Sequence, residues 1–228
     1  MIYDQKYLEK YVGYSRTDLG QKITAWRAEY VQSLVGARGY PLIDWGCCSG
    51  DFLVQMRDRG YTYRVIGVDI NPTAVSWCRV AQKLGAFTPD ELALESSEWR
   101  GMGDIVMTFW DSFEHLRDPG AVLKMYRPKH VIISAPCLDA FIDAMWHSNT
   151  LPWGTDNDRR ALILSEYLPL WKHYRPEEHL WNFTEQCLRA YLVQHGYKTV
   201  DMTFKESTFR KDDFLGDRNI MTLVAVRD

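Results

Sequence analysis

The chain has 228 residues, 46% of them hydrophobic and 25% charged, which is enough to bury one α/β core of about 200 residues with some elaboration. A net charge of −3 gives no broad pull toward nucleic acid, and no apolar run reaches the ~18 residues that a membrane-crossing helix requires. The five cysteines are odd in number and lack metal-type spacing, and no charged-then-apolar leader opens the chain, so a reduced, cytoplasmic protein with no membrane partner is expected.

Residues 3–14 are rich in tyrosine and predict a short helix able to cap a site. Thr17 or Asp18 starts a longer helix to about residue 36, with Ile23, Trp26, Tyr30 and Leu34 on one stripe. A strand over 41–45 contains Leu42 and Ile43, Gly46 and Gly50 punctuate the turn after it, and Phe52, Leu53 and Met56 recur at helical spacing in 51–59. A second apolar strand over 64–68 ends on Asp69, and Pro72 suits the first turn of a helix running to about residue 84. Residues 85–103 read as irregular, with a weak strand over 92–94. Next come a strand over 104–109, a short helix over 119–125 and a nearly all-apolar strand over 129–134, the last expected to be buried on both faces.

Residues 136–178 break this alternation, with helices over 138–145 and 160–168 around a polar turn; so long a connection is usually functional. A helix over 184–196, closed by Gly196, precedes two strands over 198–205 and 220–227 joined by a polar loop. The expectation is a single domain over 1–228, with N-terminal helices over 1–37 and a lid inserted over 138–178.

The unit from Pro41 to Pro72 is the most informative segment. A βαβ unit of this length makes parallel neighbours, and its loops gather at the carboxyl ends of the strands, where open α/β sheets bind ligands. The glycines allow close approach of the backbone, and the acid after the second strand can accept from the two hydroxyls of a ribose, so a nucleoside-bearing cofactor is implied. The turn Asp44-Trp45-Gly46-Cys47-Cys48-Ser49-Gly50 matches only two of the three glycines of a dinucleotide fingerprint. Its leading acid would repel a pyrophosphate but suits an amino group, which counts against a nicotinamide-dependent oxidoreductase.

This turn resembles the first motif of the class I S-adenosylmethionine-dependent methyltransferases, commonly D-x-G-x-G-x-G, with Cys48 where the middle glycine usually stands. Cysteine disfavours the positive φ that glycine adopts freely. The run Gly67-Val68-Asp69-Ile70-Asn71-Pro72 resembles the same family's second-strand motif. The stretch from Gly103 to Pro119, containing Glu114-His115-Leu116, and the later His179-Leu180-Trp181-Asn182-Phe183-Thr184 resemble the ubiquinone-biosynthesis-like branch. The resemblance implies a Rossmann-like α/β fold: a mainly parallel seven-stranded sheet with helices on both faces and an antiparallel strand at the end. It implies S-adenosyl-L-methionine as cofactor, with Asp69 on the ribose, Asp44 and Gly46 against the methionine part, and Cys47 and Gly50 completing the turn. Ile70 would pack on adenine, Glu95 is a further adenine candidate, and Trp110 and Asp111 would line both cofactor and acceptor.

Transfer of a methyl group from a sulfonium needs chiefly proximity and orientation, with a base where the acceptor is a hydroxyl or a protonated amine. His115 and Asp111 are the catalytic candidates. By resemblance Glu114 binds a metal in some members, but no third ligand stands at a fixed spacing and no metal is expected. His173, His179 and Trp181 lie where they can face the acceptor or hold the lid, and Trp146, Trp153, Trp171 and Trp181 either form an aromatic acceptor pocket or pack. Cys137, after Pro136, has the Pro-Cys form of some cytosine methyltransferase nucleophiles but follows a different strand. The pairs Arg159-Arg160 and Arg210-Lys211 read as solvated surface.

The reading is methyl transfer from S-adenosylmethionine to a small or medium acceptor, at oxygen or nitrogen. The alternatives are a nucleotide or nucleic-acid base methyltransferase, which would need a basic groove, and a non-catalytic cofactor-binding module of the same fold.

Overall fold

Strands without polar alternation demand cover on both faces, and the central strands here receive it. The structure, a computed structural model, describes residues 4–35, 39–61, 63–94, 99, 104–148, 155–212 and 214–227. Two helices lead, α1 (Gln5–Ser15) and α2 (Asp18–Val35). Then follow β1 (Leu42–Trp45), α3 (Asp51–Asp58), β2 (Val65–Val68), α4 (Pro72–Val80), β3 (Gly85–Phe87), α5 (Pro89–Leu94) and β4 (Val106–Trp110). The second half contains α6 (Pro119–Tyr126), β5 (His130–Pro136), α7 (Leu138–Trp146), α8 (Asp156–Leu162), α9 (Glu185–Gln194), β6 (Tyr197–Thr203), α10 (Lys205–Arg210) and β7 (Ile220–Arg227).

The seven strands form one sheet in the order β3-β2-β1-β4-β5-β7-β6, with β7 antiparallel to both of its neighbours and the other pairings parallel. The order reverses between β1 and β4, so their carboxyl ends open a crevice of the kind that holds ligands in doubly wound folds. Every residue of β1 and β4 is buried. One apolar cluster covers one face of the sheet with Phe109, Phe113, Ile133 and Leu188, and a second covers the other with Leu42, Phe52, Met56 and Ile132. The 138–178 segment has a core of its own, where Phe141 and Trp171 stack beside Leu138, Ile163 and Leu215.

The structure corrects the sequence expectation in three places. Residues 92–94 are not a strand: the edge strand lies earlier, at Gly85–Phe87, and 92–94 end α5. A capping pair starts that helix, with the Glu91 N–H donating to Thr88 Oγ1 at 3.2 Å and the Thr88 N–H donating to Glu91 Oε2 at 2.8 Å. The polar stretch before β7 contains a helix, α10, and Arg210 on it is not solvated surface. Helix 160–168 also begins earlier, at Asp156, under a capping box from Thr155, and continues past Leu162 as a π-turn.

Helix α10 is held by a group of four charges. Fully buried Glu206 accepts two hydrogen bonds from Arg27 of α2, from Nε at 3.1 Å and from Nη2 at 2.6 Å. Arg27 Nη2 also reaches Asp111 at 2.8 Å, and Arg210 pairs with both Asp111 and Glu206. Ser134 Oγ donates to Glu206 Oε2 at 3.1 Å. Two guanidiniums thus face two carboxylates across α2, α10 and the end of β4. Removing one partner of such a group leaves a buried charge uncompensated. Glu206→Ala is expected to lower the unfolding free energy in urea titrations by about 3–5 kcal/mol. Lys211→Ala, on the exposed side, should change it by less than about 0.5 kcal/mol.

Candidate functional site

A cavity of about 560 Å³ opens at the carboxyl ends of β1, β4 and β5. Its walls come from α1 and α2, from the loops after β1 and β4, from residues 173–179 and from α10. Tyr7, Tyr11 and Tyr14 line one side, so α1 does lie over the site as its tyrosine content implied.

The turn after β1 is shaped by three positive-φ residues. Gly46 has φ 83°, and a Cβ there would come within 2.5 Å of Ser112 Cβ, so both backbone angle and space require glycine. Cys48 stands at φ 46°, taking up the left-handed conformation that its side chain disfavours. What holds it there is Asp69: the Cys48 N–H donates to Asp69 Oδ2 at 2.8 Å, and the Asn71 N–H donates to Oδ1, also at 2.8 Å. Gly50 has φ 77°, but its missing Cβ would meet Cys78 Sγ and Leu84 Cδ1, each at 2.9 Å. Glycine at 50 thus serves packing beneath the turn. Cys47 turns its thiol into the core toward Gly67 and Cys78.

Asp44 ends β1 beside Thr108 of β4, its registered partner, whose hydroxyl donates to Asp44 Oδ1 at 2.7 Å. The residue is only 3% exposed. Burial pushes its carboxyl up to about 7, against the opposing pull of the Thr108 hydrogen bond and the Arg27 charge. A nearby ammonium would favour the ionised form. Asp69 lies just beyond the cavity lining, half-buried, and its carboxyl is likewise raised by burial, while the two backbone donors pull the other way. Ile70 beside it is 68% exposed. Glu95 lies outside the described residues.

Trp110 closes the cavity floor, with the Arg27 guanidinium 4.8 Å above its ring and Phe52 against its edge at 5.3 Å. Asp111 follows at φ 52°. Burial alone would raise its carboxyl, but the Arg210 and Arg27 guanidiniums hold it well below the usual carboxylate range. A carboxylate so held is a poor proton acceptor, and it pairs with both guanidiniums.

Glu114 and His115 lie in a single 3-10 turn, Phe113–His115. The Glu114 carbonyl accepts from Leu180 N at 2.9 Å and from Trp181 N at 3.2 Å, which draws His179 in from the far end of the inserted segment. The His115 and His179 rings meet edge to face, centroids 4.6 Å apart. His115 Nδ1 lies 2.9 Å from the Glu178 carbonyl and donates to it, which leaves the lone pair on Nε2. Burial pushes the His115 imidazole below its usual range despite that bond. His179 goes down to about 4 through burial, with the nearby His115 ring and Arg175 guanidinium also opposing a positive charge, and His173, also in the cavity wall, to about 4 through burial and Lys172. All three imidazoles are neutral at pH 7.

The tryptophans are packing residues. Trp171 lies in the core of the inserted segment, Trp181 stacks on Phe183 and donates to the Leu116 carbonyl, and Trp146 faces Arg159. None of these three lines the cavity, and Trp153 lies outside the described residues. Cys137 is also away from it, fully buried, with its thiol pushed up to about 11 by burial and the Asp139 charge, contrary to what a nucleophile needs. Arg27, Arg210 and Glu206 are the site residues that sequence reasoning missed; the Arg210-Lys211 pair was visible but read as surface.

Over residues 16–201 the sequence matches the family described as "Methyltransferase domain". The chain belongs to this methyltransferase family. It is an S-adenosylmethionine-dependent methyltransferase, with S-adenosylmethionine as its cofactor. Solved structures share the fold at low identity. A SAM-dependent methyltransferase from Archaeoglobus fulgidus superposes with a TM-score of 0.61 at 15% identity, over 95% of this chain and 99% of that one. Magnesium protoporphyrin IX methyltransferase (ChlM) from Synechocystis PCC 6803, solved with bound SAH, gives 0.55 at 15% identity, over 99% and 96%. The plantazolicin methyltransferase BpumL, in complex with SAH, gives 0.57 at 10% identity, over 98% and 90%. No curated protein matches the sequence. No helix among the described residues is long and apolar enough to cross a membrane.

Two measurements probe the turn. Cys48→Gly should be more stable than Cys48→Ala by about 0.5–1 kcal/mol in urea titrations, since both lose the thiol but only glycine relieves the left-handed strain. The proton held by buried Asp44 stabilises the fold below its raised pKa, and that contribution is lost as pH rises through about 7. Relative to wild type without cofactor, Asp44→Asn should therefore gain about 2–3 kcal/mol between about pH 5 and pH 8.

Proposed function

We propose that this enzyme methylates an oxygen or nitrogen of a small or medium acceptor held in the cavity between the β1 turn and the Glu114–His115–His179 group. The observation that carries this reading is the cavity itself. At about 560 Å³ it is within the range of small-molecule sites, and it joins the glycine turn to three neutral imidazoles. When bound, S-adenosylmethionine supplies an activated methyl group.

The residues fit that cofactor. Asp44 is an acid whose buried carboxyl gains from an ammonium partner, as the methionine end offers. Gly46 is bare backbone beside it, and Cys47 contributes main chain only. Asp69 is oriented by two N–H donors, and each of its oxygens keeps lone-pair capacity for a ribose hydroxyl. Exposed Ile70 offers apolar surface for an adenine, and Trp110 forms the floor.

On the acceptor side His115 is the group suited to act on a hydroxyl or amine. The Nδ1 hydrogen bond places its lone pair on Nε2, and its depressed pKa keeps it unprotonated near neutral pH. Asp111 anchors Arg27 and Arg210 rather than moving a proton. The 138–178 segment acts as the lid that excludes water. A nucleic-acid acceptor is disfavoured, because the three guanidiniums in the wall, of Arg27, Arg175 and Arg210, are each paired with a carboxylate of Asp111, Glu178 or Glu206.

Calorimetric titration with S-adenosylhomocysteine tests the cofactor side. Asp69→Ala is expected to bind it at least tenfold more weakly than wild type while remaining folded. Equal affinity in the folded variant would remove Asp69 from the binding site.

A further inference from the structure

Asn71 joins the cofactor turn to the helix that walls the opposite side of the cavity. The residue is only 3% exposed, and its polar groups serve three elements. Its backbone N–H donates to Asp69 Oδ1 at 2.8 Å. Its side-chain oxygen accepts from Thr73 N at 3.0 Å and caps α4. Its Nδ2 donates to the Asp4 carbonyl at 3.2 Å. Asp4 is the N-cap of α1, where its carboxylate accepts from Tyr7 N at 3.0 Å. Two hydrogen bonds through one residue thus link the acid after β2 to the first turn of α1. Capping α4 needs only an oxygen acceptor. The amide nitrogen is the part of Asn71 that reaches α1.

Helix α1 has little apolar burial to hold it down. Within Gln5–Ser15 only Leu8 is buried. At its far end Arg16 and Thr17 join it directly to α2, and the Thr17 hydroxyl donates to the Tyr14 carbonyl at 2.7 Å. One end of α1 is therefore continuous with a well-packed helix, and the other is held by the Asn71 amide. Segments with few buried apolar contacts open at low free energy, so α1 is suited to lift and reseat as a unit. It carries Tyr7, Tyr11 and Tyr14, which line the cavity. When α1 lifts, that wall goes with it.

We propose that Asn71 is a positioning residue that couples cofactor binding to the seating of α1, so that the bound cofactor completes the tyrosine wall of the acceptor pocket. This coupling rests on the reading that places the ribose against Asp69. Ribose hydroxyls on Asp69 would hold its carboxylate on its two backbone donors, the N–H groups of Cys48 and Asn71. The loop would then be kept in the orientation that aims Asn71 Nδ2 at Asp4. By thermodynamic reciprocity, a seated α1 favours the bound cofactor by the same factor. The acceptor meets a complete pocket only once the cofactor is in place.

The test is hydrogen–deuterium exchange of the purified chain, read on the amides of α1 and α4, with and without saturating S-adenosylhomocysteine. In wild type the ligand is expected to slow exchange in α1 by about fivefold or more. Asn71→Ser keeps an oxygen to cap α4 and keeps the backbone N–H, but removes the amide donor. In that variant, without ligand, α4 should exchange as in wild type and α1 faster, and S-adenosylhomocysteine should no longer slow α1. Asn71→Asp, which also keeps the cap, takes its place if the serine variant does not fold. A wild-type α1 that does not respond to bound S-adenosylhomocysteine would overturn the proposal. So would an equal response in wild type and a folded Asn71 variant. If Asp69→Ala binds S-adenosylhomocysteine as tightly as wild type, while the α1 response is still lost in the Asn71 variant, the tie to α1 stands and the placement of the ribose on Asp69 falls.

Discussion

The cavity depends on four charges that cancel. Arg27 and Arg210 would each be costly to bury, and so would Asp111 and Glu206. Brought together, they satisfy one another, with Ser134 supplying a further bond to Glu206. The arrangement fixes α2 against α10 and both against the loop after β4. Trp110 lies beneath Arg27 and completes the floor. Because these charges are committed to each other, the imidazoles and Glu114 stand beside Asp44, Lys10 and the tyrosines of α1 as polar groups facing the cavity. The polarity of the site is thus set by what the ion group uses up as well as by what it positions.

The cofactor turn shows a second kind of economy. Its left-handed residue at 48 has a side chain, and the strain is offset by a hydrogen bond from its own N–H to Asp69. That acid also caps the backbone at Asn71, which in turn caps α4 through Thr73 N and ties back to α1 through the Asp4 carbonyl. Asp69, which we propose meets the ribose, is therefore oriented by the backbone before any ligand arrives, which would reduce the ordering that binding must impose.

Much of the fold was legible because its signals are local. The strand, turn, helix and strand from Leu42 to Asp69 follow from runs of apolar residues, two glycines and helical spacing, and each holds in the structure. Helix α5 was equally local, since Thr88-Pro89-Asp90-Glu91 has the form of a capping box, and it was overlooked because its interior is only six residues long. The ion group could not be read in the same way. Arg27 and Glu206 are 179 residues apart, and nothing near either one names its partner. The same holds for His179, which reaches Glu114 through backbone bonds across some 65 residues of sequence. Aromatic density misled in the other direction, because Trp146, Trp171 and Trp181 fill the inserted segment and its surroundings, while the cavity's aromatics are Phe52, Trp110 and the tyrosines of α1.

The late entry of β7 has a consequence for how the enzyme matures. This strand slots between β5 and β6 and runs against both, so the sheet stays open on that side until β7 pairs. Helix α10 precedes it and packs on it. The first five strands pair through nearer contacts, whereas the helix that walls the cavity packs on the strand inserted last as well as on α2. Non-local closure of this sort is slower than the pairing of neighbouring strands, so local secondary structure is expected to precede a complete cavity wall.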